Sequence, residues 1–95
     1  MSAGTKLARA LLATAAAAGC AVRIVSATER SWASATFVGA RHALSVEGVD
    51  SAALDGWLSA LHDADLVLPG HMVADVSVER CDGGARVTAL TLVAA

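Results

Sequence analysis

The chain has 95 residues, a net charge of −2, 56% hydrophobic residues and 17% charged ones. That length allows one domain with a modest core, burying roughly 60–65% of the surface its unfolded form exposes. The Lys and Arg residues are scattered, which argues against nucleic acid as a partner; no window reaches the ~20 apolar residues of a membrane span; and Leu, Val or Trp in every segment argues against disorder.

Thr5 is a plausible N-cap, and Lys6 to Ala18 then reads as a helix. Leu7, Ala10, Leu11, Thr14 and Ala18 fall on one face at three- and four-residue spacing. Gly19 stands where a left-handed C-terminal cap is wanted. The same stretch has a second reading. Lys6 and Arg9, the apolar run Leu11 to Ala18, and Ala17-Ala18-Gly19-Cys20 resemble a lipoprotein signal ending at a lipidated cysteine. The alanine-rich run, and Ala17 where such signals prefer Leu, favour the folded helix.

Ala21 to Ser26 is β-like, with Val22, Ile24 and Val25 branched. Thr28 to Ser31 is polar and predicts a bend or loop. Ala33 to Val38 and His42 to Val46 are extended, and Gly39 between them marks a bulge or a break, leaving open one strand or two.

A second helix opens at Asp50 or Ser51, with Val49 placed to staple onto Leu54. Leu54, Trp57, Leu58 and Leu61 form its buried stripe, and Asp63 to Asp65 ends it. After Pro69-Gly70, apolar Met72, Ala74, Val76 and Val78 alternate with polar residues, which predicts a half-buried strand. Asp82-Gly83 within Cys81 to Gly84 predicts a hairpin turn. Ala85 to Val93 is apolar on both faces near Leu90 and Leu92, as a central strand is.

The order is helix, strand, strand, helix, strand, strand. It predicts a single α+β domain over 4–95, made of two αββ halves, 4–48 and 50–93. The architecture is a two-layer sandwich with two helices on one face of a four-stranded antiparallel sheet.

In the second half, Leu54-Asp55-Gly56-Trp57-Leu58-Ser59-Ala60-Leu61 is followed by Val76-Ser77-Val78-Glu79-Arg80, a glycine turn and Ala85-Arg86-Val87-Thr88-Ala89-Leu90-Thr91-Leu92. The first half has an alanine-rich helix ending in Gly19-Cys20-Ala21-Val22-Arg23. This pattern resembles the periplasmic domain of the M protein of type II secretion systems, an inner-membrane platform component. Trp57-Leu58 and the Arg86-Val87 ending are closer to the M protein than to the similar domain of its sister L protein. The chain departs from the family at Ser51, where an apolar residue is usual, and in the length of Thr28 to Arg41.

The resemblance implies a circularly permuted ferredoxin-like sheet with the strands in the order first, second, fourth, third. Cys20 and Cys81 would then stand at opposite edges, too far apart for the roughly 4.4–6.8 Å between Cα atoms that a disulfide needs. It further implies a non-enzymatic assembly domain in the periplasm, forming a homodimer and docking onto the L protein, attached to the inner membrane only through an anchor not present in this chain. The expected interface is Val22, Arg23, Ile24 and Val25 on the first strand, together with Trp32 in the polar segment.

No residue set points to catalysis, a cofactor or a metal. His62 with Asp63 and Asp65 lies at a helix end without closed ligand spacing. His42 and His71 read as surface strand residues. No G-x-S-x-G occurs, and Asp82-Gly83-Gly84 lacks the Lys-Ser or Lys-Thr of a phosphate loop. Trp57 reads as a filler of the helix–sheet interface. The alternatives of another class are a small ligand-binding or enzymatic domain, and a lipoprotein of unknown role.

Overall fold

The computed structural model describes residues 2–93. Helix α1 spans Ala3–Ala17 and starts three residues earlier than Thr5 would have it, because Ser2 is the cap: its Oγ accepts from the Thr5 N–H at 3.2 Å. Leu7, Leu11 and Ala15, four residues apart, are its buried stripe, whereas Ala18 is exposed. The helix ends as the sequence predicts. Gly19 takes φ 84°, its N–H bonds the Ala16 carbonyl, and the Cys20 N–H bonds that of Ala15. These two bonds make a Schellman cap, which also tucks Cys20 into the core.

Strands β1 (Val22–Ala33) and β2 (Val38–Gly48) form one long hairpin. The expected bend at Thr28 to Ser31 is strand instead. These polar residues are on an edge strand that water reaches, so their polarity carries no turn signal. The chain reverses at residues 34–37, where Ser34 Oγ accepts from the N–H groups of Thr36 and Phe37 at 3.3 and 3.1 Å. Gly39 is neither bulge nor break: it sits in regular register opposite Leu92, and a Cβ there would collide with the Thr91 carbonyl oxygen. The bulge of this hairpin is at Val25, which has no partner on β2.

Helix α2 (Ala52–Ala60) is capped by Ser51, whose Oγ accepts from the Leu54 N–H at 3.1 Å, and runs into a 3₁₀ turn at Leu61–Asp63. Leu54, Trp57, Leu58 and Leu61 are all buried, as their spacing predicts. Val49 is 84% exposed and staples nothing. The link to the next strand adds Leu66 and Leu68 to the core. It is tied to α1 where Lys6 Nζ donates to the Pro69 carbonyl at 2.6 Å.

Strands β3 (His71–Cys81) and β4 (Gly84–Val93) close the chain through the Asp82-Gly83 turn, with positive φ at Gly83 alone. The expected alternation on β3 holds only in its second half. A bulge at Ala74 shifts the phase, so Val73, Val76 and Val78 face inward while Met72 is 52% exposed.

The four strands form one antiparallel sheet in the order β1-β2-β4-β3. Both helices lie on one face, with α1 along β1 and the 3₁₀ turn after α2 over β3. The core joins Leu7, Leu11 and Ala15 to Leu54, Trp57, Leu58 and Leu61 above Leu44, Val46, Val76, Ala85 and Val87. Trp57 Nε1–H donates to Thr14 Oγ1 at 3.0 Å, linking the two helices. This is the α+β two-layer arrangement that the element order predicts. No helix among the described residues is long and apolar enough to cross a membrane.

Candidate functional site

Strand β1 is at one border of the sheet, so one side of its backbone has no partner strand. That edge is what the sequence offers as an interface, and the structure divides its five residues. Val22 and Ile24 stand opposite Gly48 and Val46, and their side chains pack against the core from the helix side. They present only backbone to a partner. Arg23 and Val25 are exposed. Arg23 Nη2 meets Glu47 Oε2 at 2.7 Å across the strands, a surface pair of small energetic weight. Trp32 is not on a polar loop. It is half-buried near the end of β1, opposite Gly39, on the sheet face away from the helices.

The bulge at Val25 matters for any pairing. An added strand follows a regular ladder, and a bulge interrupts it. Residues 26–33 continue the β1–β2 register without a second irregularity. The usable edge is therefore this outer stretch rather than the Val22 to Val25 stretch.

Sequence reasoning missed a second feature, a buried histidine. His42 is 3% exposed rather than on the surface, because β2 is a central strand and α1 covers that side. Its Nε2 is 2.8 Å from Thr91 Oγ1, and Thr91 is 1% exposed. Burial pushes the His42 imidazole below its ordinary range; Glu29 pulls partly the other way, and His71 adds to the lowering. The Glu29 carboxylate lies beside Gly4 in the first turn of α1, where a negative charge suits the helix dipole. Ser2, Thr5, Glu29 and His42 line a cleft of about 320 Å³ between α1 and the β1–β2 hairpin.

Hydroxyl, imidazole and carboxylate in this order evoke a nucleophile, a base and an orienting group. The geometry does not assemble them. Thr91 Oγ1 is enclosed between His42 and the Ala40 carbonyl, and no hydrogen bond joins His42 to Glu29. The other histidines stand apart. His62 is exposed, with Nε2 3.2 Å from Asp63 Oδ2, and His71 is half-buried at the start of β3. Among the described residues, no three His, Cys, Asp or Glu side chains gather at one point. Both thiols are free: Cys20 is buried and donates to the Ala15 carbonyl, and Cys81 is exposed at the end of the opposite edge strand.

Comparison with known proteins finds no matching family model, no matching curated protein and no matching solved structure. The function is therefore argued from the surfaces described above.

Proposed function

We propose that this chain is a protein–protein assembly domain of a type II secretion inner-membrane platform, acting in the periplasm. It self-associates and docks onto a sister protein of the L type, without bond chemistry. The resemblance of its helix–strand–turn–strand pattern to the M protein suggests the setting. The observation that carries the reading is the free edge of β1, a strand of 12 residues at the border of the sheet. Its outer backbone groups can pair with a partner's strand, which supplies affinity through main-chain hydrogen bonds.

Binding to the periplasmic domain of an L-type protein, immobilised for biolayer interferometry, tests this reading. Two variants block the edge. Ser31→Lys places a charge on the exposed helix side of the regular outer stretch, opposite Ala40. Ala27→Lys points a charge toward the helix side of the edge strand, a device that discourages strand addition. Both should weaken binding at least about tenfold, with far-UV circular dichroism unchanged. Equal binding by the wild type and both variants would overturn the edge as the contact.

A further inference from the structure

The sheet face away from the helices has no cover among the described residues. The strand registers arrange its residues in rows that run from β1 across β2 and β4 to β3. One row is Trp32, Gly39, Leu92, Met72. The next is Arg30, Arg41, Leu90, Asp75. Below it come Thr28, Ala43, Thr88 and Ser77, small side chains that let another surface approach closely.

The second row carries an unbalanced charge pattern. Arg30 and Arg41 are directly opposite each other on neighbouring strands, an arrangement that repels. Neither forms an ion pair among the described residues, and neither does Asp75 at the other end of the row. These three side chains, with Thr28, Ala43 and Thr88, line a groove of about 660 Å³. Positive charge thus stands at the β1 side of the face and negative charge at the β3 side. The apolar row lies beside it: Met72 is 52% exposed and Trp32 half-buried at its two ends, with Leu92 between them 7% exposed.

We propose that this face stacks on the same face of a second copy, about a two-fold axis parallel to the strands. Such an axis lays β1 of one copy over β3 of the other and β2 over β4, and it keeps each row over itself. Arg30 then meets the second copy's Asp75, and Arg41 lies along its Leu90. Trp32 covers its Met72, and Gly39 lies over its Leu92. Each contact occurs twice, as an isologous interface requires. Stacked sheets lie ~10 Å apart and cross at about 30°, which displaces the outer strands by about one residue; an arginine side chain spans that offset. Four strands over about eight residues present roughly 500 Å² of flat sheet, and side-chain relief brings this toward the ~800 Å² per partner of a standard interface. The inference rests on the reading of the chain as an assembly domain. It gives self-association to the open face and leaves the β1 edge to the sister protein.

Sedimentation velocity over a range of concentrations tests it, on the wild type, Arg30→Asp, Asp75→Arg, their equimolar mixture and the edge variant Ala27→Lys. Arg30 and Asp75 are both exposed, so the substitutions leave the fold intact by circular dichroism. The wild type and Ala27→Lys should dimerise alike. Each charge variant alone should dimerise at least about tenfold more weakly, because it sets like charges against each other at both ends. The mixture should recover the dimer, since one variant's carboxylates then face the other's guanidinium groups. Charge variants that dimerise like the wild type beside a monomeric Ala27→Lys would overturn the face while the edge stands. Monomeric charge variants that fail to recover on mixing would overturn the pairing of Arg30 with Asp75. A wild type that stays monomeric would overturn the stacked dimer, and binding to the L-type domain judges the assembly reading separately.

Discussion

The bond from Trp57 to Thr14 offers a direct measure of how the two αββ halves are joined. Trp57 is 5% exposed, and its indole N–H donates to Thr14 Oγ1 at 3.0 Å; the same oxygen donates its proton to the Leu11 carbonyl at 2.9 Å. Thr14→Val keeps the side-chain shape and changes helix propensity little. It removes the acceptor and leaves the indole N–H unpaired at a nearly dry position. An unpaired buried donor costs about 1–3 kcal/mol, and Thr14 is only half-buried, so water recovers part of that. The expected loss is about 1–1.5 kcal/mol, or roughly 5–10 °C in Tm for a domain of this size. With Trp57→Phe as background there is no indole to strand, and Thr14→Val should cost less than about 0.5 kcal/mol. The coupling between the two positions is then about 1 kcal/mol. Urea unfolding of the four proteins, followed by far-UV circular dichroism because two of them lack the Trp57 indole, reads this at constant m. Costs that add within about 0.3 kcal/mol would refute the bond as a tie between the helices.

Four further outcomes follow from the core and its margin. His42 is held neutral by burial, so its folded pKa lies below the unfolded value of 6.5; its contribution is fully present above 6.5 and is lost as pH falls through the folded pKa. Melts of the wild type and His42→Gln between pH 7.5 and 5 should differ in slope, with the wild type losing Tm faster on acidification. Gly39→Ala should destabilise by about 1–3 kcal/mol, the usual cost of forcing atoms into a filled site, because its methyl group meets the Thr91 carbonyl; denaturant titration reads it. Leu61→Ala, at 1% exposure, should cost about 2–5 kcal/mol. Arg80→Ala, which breaks a half-exposed pair at 2.7 Å with Asp55, should cost about 0–1 kcal/mol by the same measurement.

What the residues reveal and what they hide follows from how each element is held. Helix α2 is readable because its stripe and cap act within a few residues: Ser51 caps Leu54, and the buried positions recur at helical spacing. The Asp82-Gly83 turn and Gly19 are readable for the same local reason. Strand β1 is not, because residues 27–31 are on an edge open to water, where pairing with β2 and not side-chain pattern fixes the conformation. The phase of β3 is hidden by the Ala74 bulge, which no local residue announces. His42 is hidden because burial of one strand residue depends on where α1 lies, and its partner Thr91 is 49 residues away. Val22 to Val25 are legible as a strand, whereas Trp32, expected in a polar segment, belongs to the same strand; which of their side chains face outward follows from the Val25 bulge.

Both border strands carry one bulge, at Val25 on β1 and at Ala74 on β3. Bulged edges resist indiscriminate strand addition, which is how exposed edges stay soluble. On β3 the bulge lies near the start of the strand, leaving His71 to Val73 before it and the regular stretch 75–81 after it. On β1 it leaves the stretch 26–33 regular. Stacking through the open face would lay each copy's β1 above the other's β3 and so keep the two usable edges on opposite sides of the dimer. A strand added to β1 then extends outward in the plane of its own sheet, beside the second copy's β3 edge and not across the stacked faces. Edge pairing and face stacking therefore do not compete, and one small sheet can hold a twin and a second kind of partner together.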